Sequence, residues 1–312
     1  MDDDKTLSVN KAEVLSEGAS RLMRLATYAS VGVAAALIAI KLIAFLLTDS
    51  VSLLSTLIDS LLDAAASIIN LVAVRTALVP PDAEHRFGHG KAEPLAAMGQ
   101  SAFIAGSAMF LLVEAGNRLV NPSPIQNSGI GLVVMAVSIV ATLGLVAFQR
   151  HVIRRTGSVA IKADALHYLS DLFVNSAVIV SLLLWRQFGW TFVDPLFAAG
   201  IGAYILWTAW QVAHGAFDLL MDRELPDAAR RKIRDIALAH RDVRDLHDLR
   251  TRSSGLATFI QFHLELDGDI PLVRAHAVSD EVEHAILVAF PGAEVIIHQD
   301  PAGLPERRPG FA

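Results

Sequence analysis

The chain has 312 residues, 53% of them hydrophobic and 19% charged, and its mean hydropathy of +0.47 is too high for an ordinary soluble protein. It contains no cysteine, which excludes disulfides, thiolate nucleophiles, zinc ribbons and CxxC redox chemistry, so any metal must be held by His and carboxylates. A net charge of -6 offers no broad basic surface and argues against a nucleic-acid partner.

Residues 1–25 are polar and acidic and read as a cytoplasmic N-terminal segment; the apolar run that follows is too long for a signal-peptide core, so no cleaved leader is expected. Six segments then have the length and apolarity of membrane-spanning helices, at about 26–47, 51–79, 95–119, 129–148, 158–185 and 192–217. The connections bearing Arg75, Arg86 and Lys91, and Arg150, Arg154, Arg155 and Lys162, are rich in positive charge. Those near Asp49, Pro122 and Gly189 are poor in it, which places both termini in the cytoplasm. Trp185, Trp190, Trp207 and Trp210 lie toward the ends of the last two spans, where interfacial anchors sit, although packing alone also explains them. Small residues such as Gly200 and Gly202 are read as allowing close approach of helices.

At LMDRELP the period changes and a soluble half begins, spanning 218–301. Residues 227–240 have helical spacing, 243–252 and 257–266 alternate as strands, 272–290 return to helical spacing and 293–300 form a short last strand. The order αββαβ predicts a small α+β domain with helices on one face of a sheet. The remainder, 302–312, has the Pro, Gly and charge content of a disordered tail.

Two spans carry residues that do not belong in lipid. In the second, Ser52, Thr56, Asp59, Asp63, Ser67 and Asn70 follow spacings of three and four and so share one stripe. In the fifth, Asp164, His167, Asp171 and Asn175 make another. An ionisable group at mid-membrane costs roughly 2.5–3.5 kcal/mol, so three aspartates at depth demand a reason other than folding. One reading pairs them with cations of other helices, and Lys41 in the first span is available. One lysine cannot neutralise three carboxylates, whereas a divalent ion can. Asp59 and Asp63 from one helix with His167 and Asp171 from the other would make a four-donor set that suits zinc, and the imidazole tilts the choice from magnesium toward transition metals. His167 must be neutral to ligate, so metal and proton compete for the same donors, the basis of an exchange mechanism.

The loop after the second span holds Asp82, His85 and His89, with Gly88 and Gly90 between or beside them, and is read either as a second metal site or as a solvated polar loop. In the soluble half His247, His263, His276 and His298 fall on separate elements, with Asp300 two residues after His298; a shared metal site and solvated surface histidines both remain open on spacing alone.

The runs LIDSLLD, HRFGHGKAEPLAA, ADALHYLSD, LHDLRTR, FIQFHLEL and VIIHQDP resemble the bacterial cation diffusion facilitator family, in its zinc and ferrous-iron efflux branch, from the first span to about Pro301. The resemblance implies a homodimeric inner-membrane antiporter with six transmembrane helices and a metallochaperone-like cytoplasmic domain, exchanging a divalent metal ion for protons across the lipid bilayer. It implies that Asp59, Asp63, His167 and Asp171 form the transport site and that Asp82, His85 and His89 form a site in the loop. His247, His263, His276, His298 and Asp300 would be the binuclear site of the cytoplasmic domain, whose filling draws the dimer together. Lys91 and Asp222 fall where the family places a charge pair at the hinge. Zinc is the expected cargo and regulatory ion, and since the family's vesicular zinc members carry His where this chain has Asp59, the oxygen pair here relaxes selectivity toward cadmium or ferrous iron. Two rivals stand beside this antiporter: a membrane metalloenzyme, against which the absence of paired Glu-x-x-His motifs in the spans argues, and a metal sensor working through its soluble half.

Overall fold

The computed structural model describes residues 2–48, 51–120, 129–188 and 192–303. The charge-poor connections expected near Asp49, Pro122 and Gly189, together with Trp190, the side chain of Trp185 and the tail from residue 304, lie outside the described residues. Six long helices come first: α1 Asp2–Thr48, α2 Val51–Ala77, α3 Ala92–Val120, α4 Gly129–Thr156, α5 Val159–Phe188 and α6 Val193–Leu220. Then follow α7 Asp227–Leu238, β1 Val243–Ser254, β2 Ala257–Leu266, α8 Leu272–Ala289 and β3 Ala293–Pro301. By contact the chain divides into two compact units, Ala19–Leu220 and Met221–Ala312 with Met1–Gly18.

Among the described residues five stretches are long and apolar enough to cross a membrane: Glu17–Leu47, Thr56–Ala77, Ala92–Val120, Leu132–Thr156 and Pro195–Leu220. The remaining long helix, α5, carries Lys162, Asp164, His167 and Asp171 in its first half. Large apolar side chains such as Leu47, Phe110, Val140 and Trp210 are 70% exposed or more, which is unsustainable in water and ordinary against lipid.

With lipid outside, association of these helices rests on close packing and buried polar bonds rather than on a hydrophobic effect. Packing dominates between α3 and α6, where Ile104, Ala108, Ile205 and Ala209 form one buried cluster. Gly202 allows that approach: a Cβ there would stand 2.9 Å from Leu112 Cγ. Gly200, read from sequence in the same role, has no neighbouring heavy atom within 4 Å of its Cβ position.

Polar bonding dominates around Asp164, which is fully buried. Its carboxylate accepts from Ser30 Oγ of α1 at 2.6 Å, Gln149 Nε2 of α4 at 2.7 Å and Gln100 Nε2 of α3 at 3.2 Å. One α5 side chain thereby ties three other helices to its own, and in a dry interior each of those bonds is expensive to leave unmade. One turn on, Tyr168 pairs its hydroxyl with Ser67 of α2 at 2.8 Å. The α5 helix is therefore held to all four of these neighbours by groups in its first half.

In the soluble unit the sheet has order β1-β2-β3, with β1 antiparallel and β3 parallel to β2. Gly255, at φ +61°, opens the two-residue turn between Ser254 and Ala257, a position that a side chain would strain. The β2–α8–β3 crossover returns the chain parallel to β2. Both helices lie on one face, where Ile233, Val278, Val282 and Ile286 meet Leu246, Ile260, Phe262 and Leu264 in a single core. The αββαβ order and the one-sided helix layer are those expected from the sequence.

Candidate functional site

Helical spacing puts Asp59 and Asp63 on one stripe of α2 and His167 and Asp171 on one stripe of α5. The two helices bring three of these together. His167 Nε2 lies 2.9 Å from Asp63 Oδ1, and one donor atom each from Asp63, His167 and Asp171 lie within 4.8 Å of one another. The side chains of His167 and Asp63 are only 14% and 21% exposed. Asp59, a turn earlier on α2, is exposed and stands outside the group. Two carboxylates and an imidazole converging in a half-buried space are donors that could hold a metal ion.

The loop between α2 and α3 forms a second group, Asp82, His85 and His89, with donor atoms again within 4.8 Å. Asp82 Oδ1 accepts from the backbone N–H of His85 at 2.6 Å and of Glu84 at 2.9 Å, an Asx turn that aims the carboxylate across the loop. The His85 N–H, then that of Glu84 and the two imidazoles, hold this carboxyl below the ordinary carboxylate value, so it is ionised at neutral pH. His89 Nε2 stands 3.4 Å from Asp82 Oδ2 and the His85 and His89 rings are 4.5 Å apart. Gly88, at φ +76°, donates to the His85 carbonyl at 2.9 Å and turns the chain back; of the two loop glycines only Gly88 needs that freedom.

The soluble unit holds the third group. Strand register aligns His247 with His263 across β1 and β2, and His263 with His298 across β2 and β3, so the three imidazoles form one row across the sheet. Asp300, two residues after His298 and on the same face, closes it. Its carboxylate lies 2.6 Å from His263 Nδ1, 3.5 Å from His247 Nε2 and 3.1 Å from His298 Nε2. The set His247, His263 and Asp300 has donor atoms within 4.8 Å of one another. His276 is not part of it: it sits on α8, 71% exposed, 3.9 Å from Asp280. Its place on a helix that packs one face of the sheet separates it from the row.

Two carboxylates beside this row were not singled out from sequence. Glu265 Oε1 lies 3.0 Å from His247 Nδ1 and Asp248 Oδ2 lies 3.9 Å from His263 Nε2. Strand alternation does signal Glu265, two residues from His263. Asp248 has no such signal, because it reaches His263 through an irregularity of β1 in which it adopts φ +48°, a conformation that Asp tolerates better than most residues.

Against known proteins, residues 27–221 match the model of the cation efflux transmembrane domain and residues 225–302 that of the cation efflux protein, cytoplasmic domain. The cation-efflux pump FieF of Klebsiella pneumoniae is 50% identical over 299 residues, which cover 95% of this chain and 99% of the pump. The pump of the same name from Salmonella newport is 50% identical over 288 residues, covering 92% and 95%. Among solved structures, the metal-bound C-terminal domain of the CzcD transporter from Thermotoga maritima is 26% identical, covers 25% of this chain and 93% of that one, and has a TM-score of 0.25.

Proposed function

The chain belongs to the cation efflux family of multi-pass membrane transporters, the cation diffusion facilitators, and from that premise we propose that it is a proton-coupled antiporter moving a divalent transition-metal ion out of the cytoplasm. The observation that carries this reading is the approach of Asp63, His167 and Asp171 across two helices of the membrane unit. It supports a transport site made of these three with Asp59, whose position one turn away on α2 lets it complete a tetrahedral set when an ion arrives. Each donor can hold either the metal or a proton, and that competition couples the two flows. The enzyme reading falls away, since the curated relatives are pumps.

Six crossings follow if α5 spans beside the five more apolar segments, its polar stripe facing helices rather than lipid. The loops bearing Arg75, Arg86 and Lys91 and Arg150, Arg154, Arg155 and Lys162 then face the cytoplasm of a bacterial inner membrane. Zinc fits the mixed nitrogen and oxygen donors best, with ferrous iron and cadmium as further cargoes. The soluble unit works as the regulatory part of a homodimer: a metal held by His247, His263, His298 and Asp300 favours the transport-ready arrangement when cytoplasmic metal is high. The loop group Asp82, His85 and His89 holds a further ion at the membrane surface.

The test is uptake into sealed vesicles that contain a metal-sensitive dye. With zinc outside and the interior acidic, the wild-type protein is expected to bring metal in faster than without a gradient and to alkalinise the interior, and Asp63→Ala to abolish both. Gradient-independent uptake, or an Asp63→Ala rate equal to wild type, overturns the reading.

A further inference from the structure

Lys41 is a cation of the membrane unit whose placement the proposed metal site does not explain. Lys41 lies on α1, two turns before the end of that helix's apolar stretch. Its ammonium donates to the backbone carbonyl of Thr56 at 3.1 Å and to the hydroxyl of Ser60 at 2.6 Å, both on α2. Ser60 is the neighbour of Asp59, and Asp63 is one turn further along the same helix. The two acceptors are neutral, so they fix the ammonium in place without cancelling its charge. The ammonium is thereby held beside the stretch of α2 that carries Asp59 and Asp63, two carboxylates of the proposed transport set.

Charge counting gives this placement a meaning. Three carboxylates exceed the charge of a divalent ion by one, and a half-buried site with a residual charge is unfavourable in a medium of low dielectric. A fixed positive charge on α1 makes the loaded site neutral. It also weakens the site's hold on the ion, because every cation bound among the carboxylates is repelled by it. A transporter requires that compromise, since an ion held too tightly does not leave.

Resting on the transport-site reading above, we propose that Lys41 is the fixed counter-cation of that site, a residue that touches no metal and sets how tightly the site holds one. Its bonds to Thr56 and Ser60 hold the ammonium on α2 beside Asp59 instead of letting it collapse onto a carboxylate and close the site.

The test is zinc affinity of the full-length protein in detergent, measured by competition with a chromogenic chelator. The background carries Asp82→Ala and His263→Ala, so that the remaining binding reports the membrane unit, and the pH is about 8, where protons compete least with imidazole. Lys41→Met is expected to bind zinc about tenfold tighter, and Lys41→Gln, which retains a donor for Thr56 and Ser60, to do the same. Lys41→Arg is expected to keep the background affinity. A merely structural lysine predicts the opposite sign, weaker binding on its removal. Unchanged or weaker binding in both neutral variants overturns the inference. Asp63→Ala in the same background separates the two levels: if it binds zinc as the background does, the transport-site reading itself is lost, whereas loss of binding with no effect of Lys41→Met sinks only the counter-cation.

Discussion

The membrane unit and the soluble unit both gather imidazole and carboxylate, but they hold them by different means. Asp63 meets His167 and Asp171 only through side chains, between α2 and α5, and among the described residues no backbone hydrogen bond joins these two helices. His247, His263 and His298 occupy facing register positions on three strands tied together by a backbone ladder. A small slide or rotation of α5 against α2 takes the first group apart at the cost of side-chain contacts alone. Taking the second apart means breaking the sheet. The difference teaches which group can serve as a moving site and which as a fixed one: a transported ion must be released to the far side, whereas a regulatory ion only needs to be present or absent.

The largest expected effect tests the moving site. His167→Ala removes the one imidazole of the proposed four-residue set, and proton-driven zinc transport in vesicles is expected to fall at least about a hundredfold, the scale of losing one strong ligand together with its support. Transport at the wild-type rate would falsify the assignment of roles. For the fixed site, His263→Ala is expected to abolish zinc binding by the soluble unit and to slow transport only several-fold, because that residue belongs to the other compact unit and not to the proposed transport set. A complete loss of transport there, in protein that still binds zinc in its membrane half, breaks the comparison.

A third variant probes the frame on which the moving helices ride. Gly202→Val places a side chain where Leu112 already stands, and overpacking of this kind costs about 1–3 kcal/mol. Thermal melting of the detergent-solubilised protein should show a lower midpoint, and an unchanged midpoint would mean that α3 and α6 do not pack through this glycine. The smallest effect concerns acid stability of the sheet unit. The Arg274 guanidinium, 2.5 Å from Asp242, holds that carboxyl below its ordinary value. A depressed carboxyl contributes stability above its unfolded value and loses it as pH falls through the folded one, so the contribution should fade below about pH 4. Hydrogen-exchange protection around Asp242 and the start of α8, corrected for intrinsic rates, should drop there in wild type and respond less to pH in Asp242→Asn.

Much of this is legible in the sequence alone. The α2 and α5 stripes are visible because helical period and membrane cost are both local: an aspartate four residues from another, inside an apolar run, is conspicuous wherever the helix ends up. The αββαβ order was legible for the same reason. Asp164 shows the limit. Sequence spacing puts it on the α5 stripe beside His167 as if it were another donor, yet its carboxylate is spent on Ser30, Gln100 and Gln149, residues up to 134 positions away that no local period connects. His276 shows it in the other direction: the family resemblance groups it with the sheet histidines, and the fold places it on the exposed part of α8.

The sequence by itself determined that the chain has an apolar helical half and a small α+β half, and that two helices of the first carry polar stripes, since these follow from periodicity and the expense of charge in lipid. Only the tertiary structure decided which stripe residues meet, that Asp59 waits outside the group while Asp164 ties the helices together, and that strand register lines up His247, His263 and His298. Those outcomes depend on the rotation of each helix about its axis and on the pairing of strands, which are settled by contacts between residues far apart in the chain.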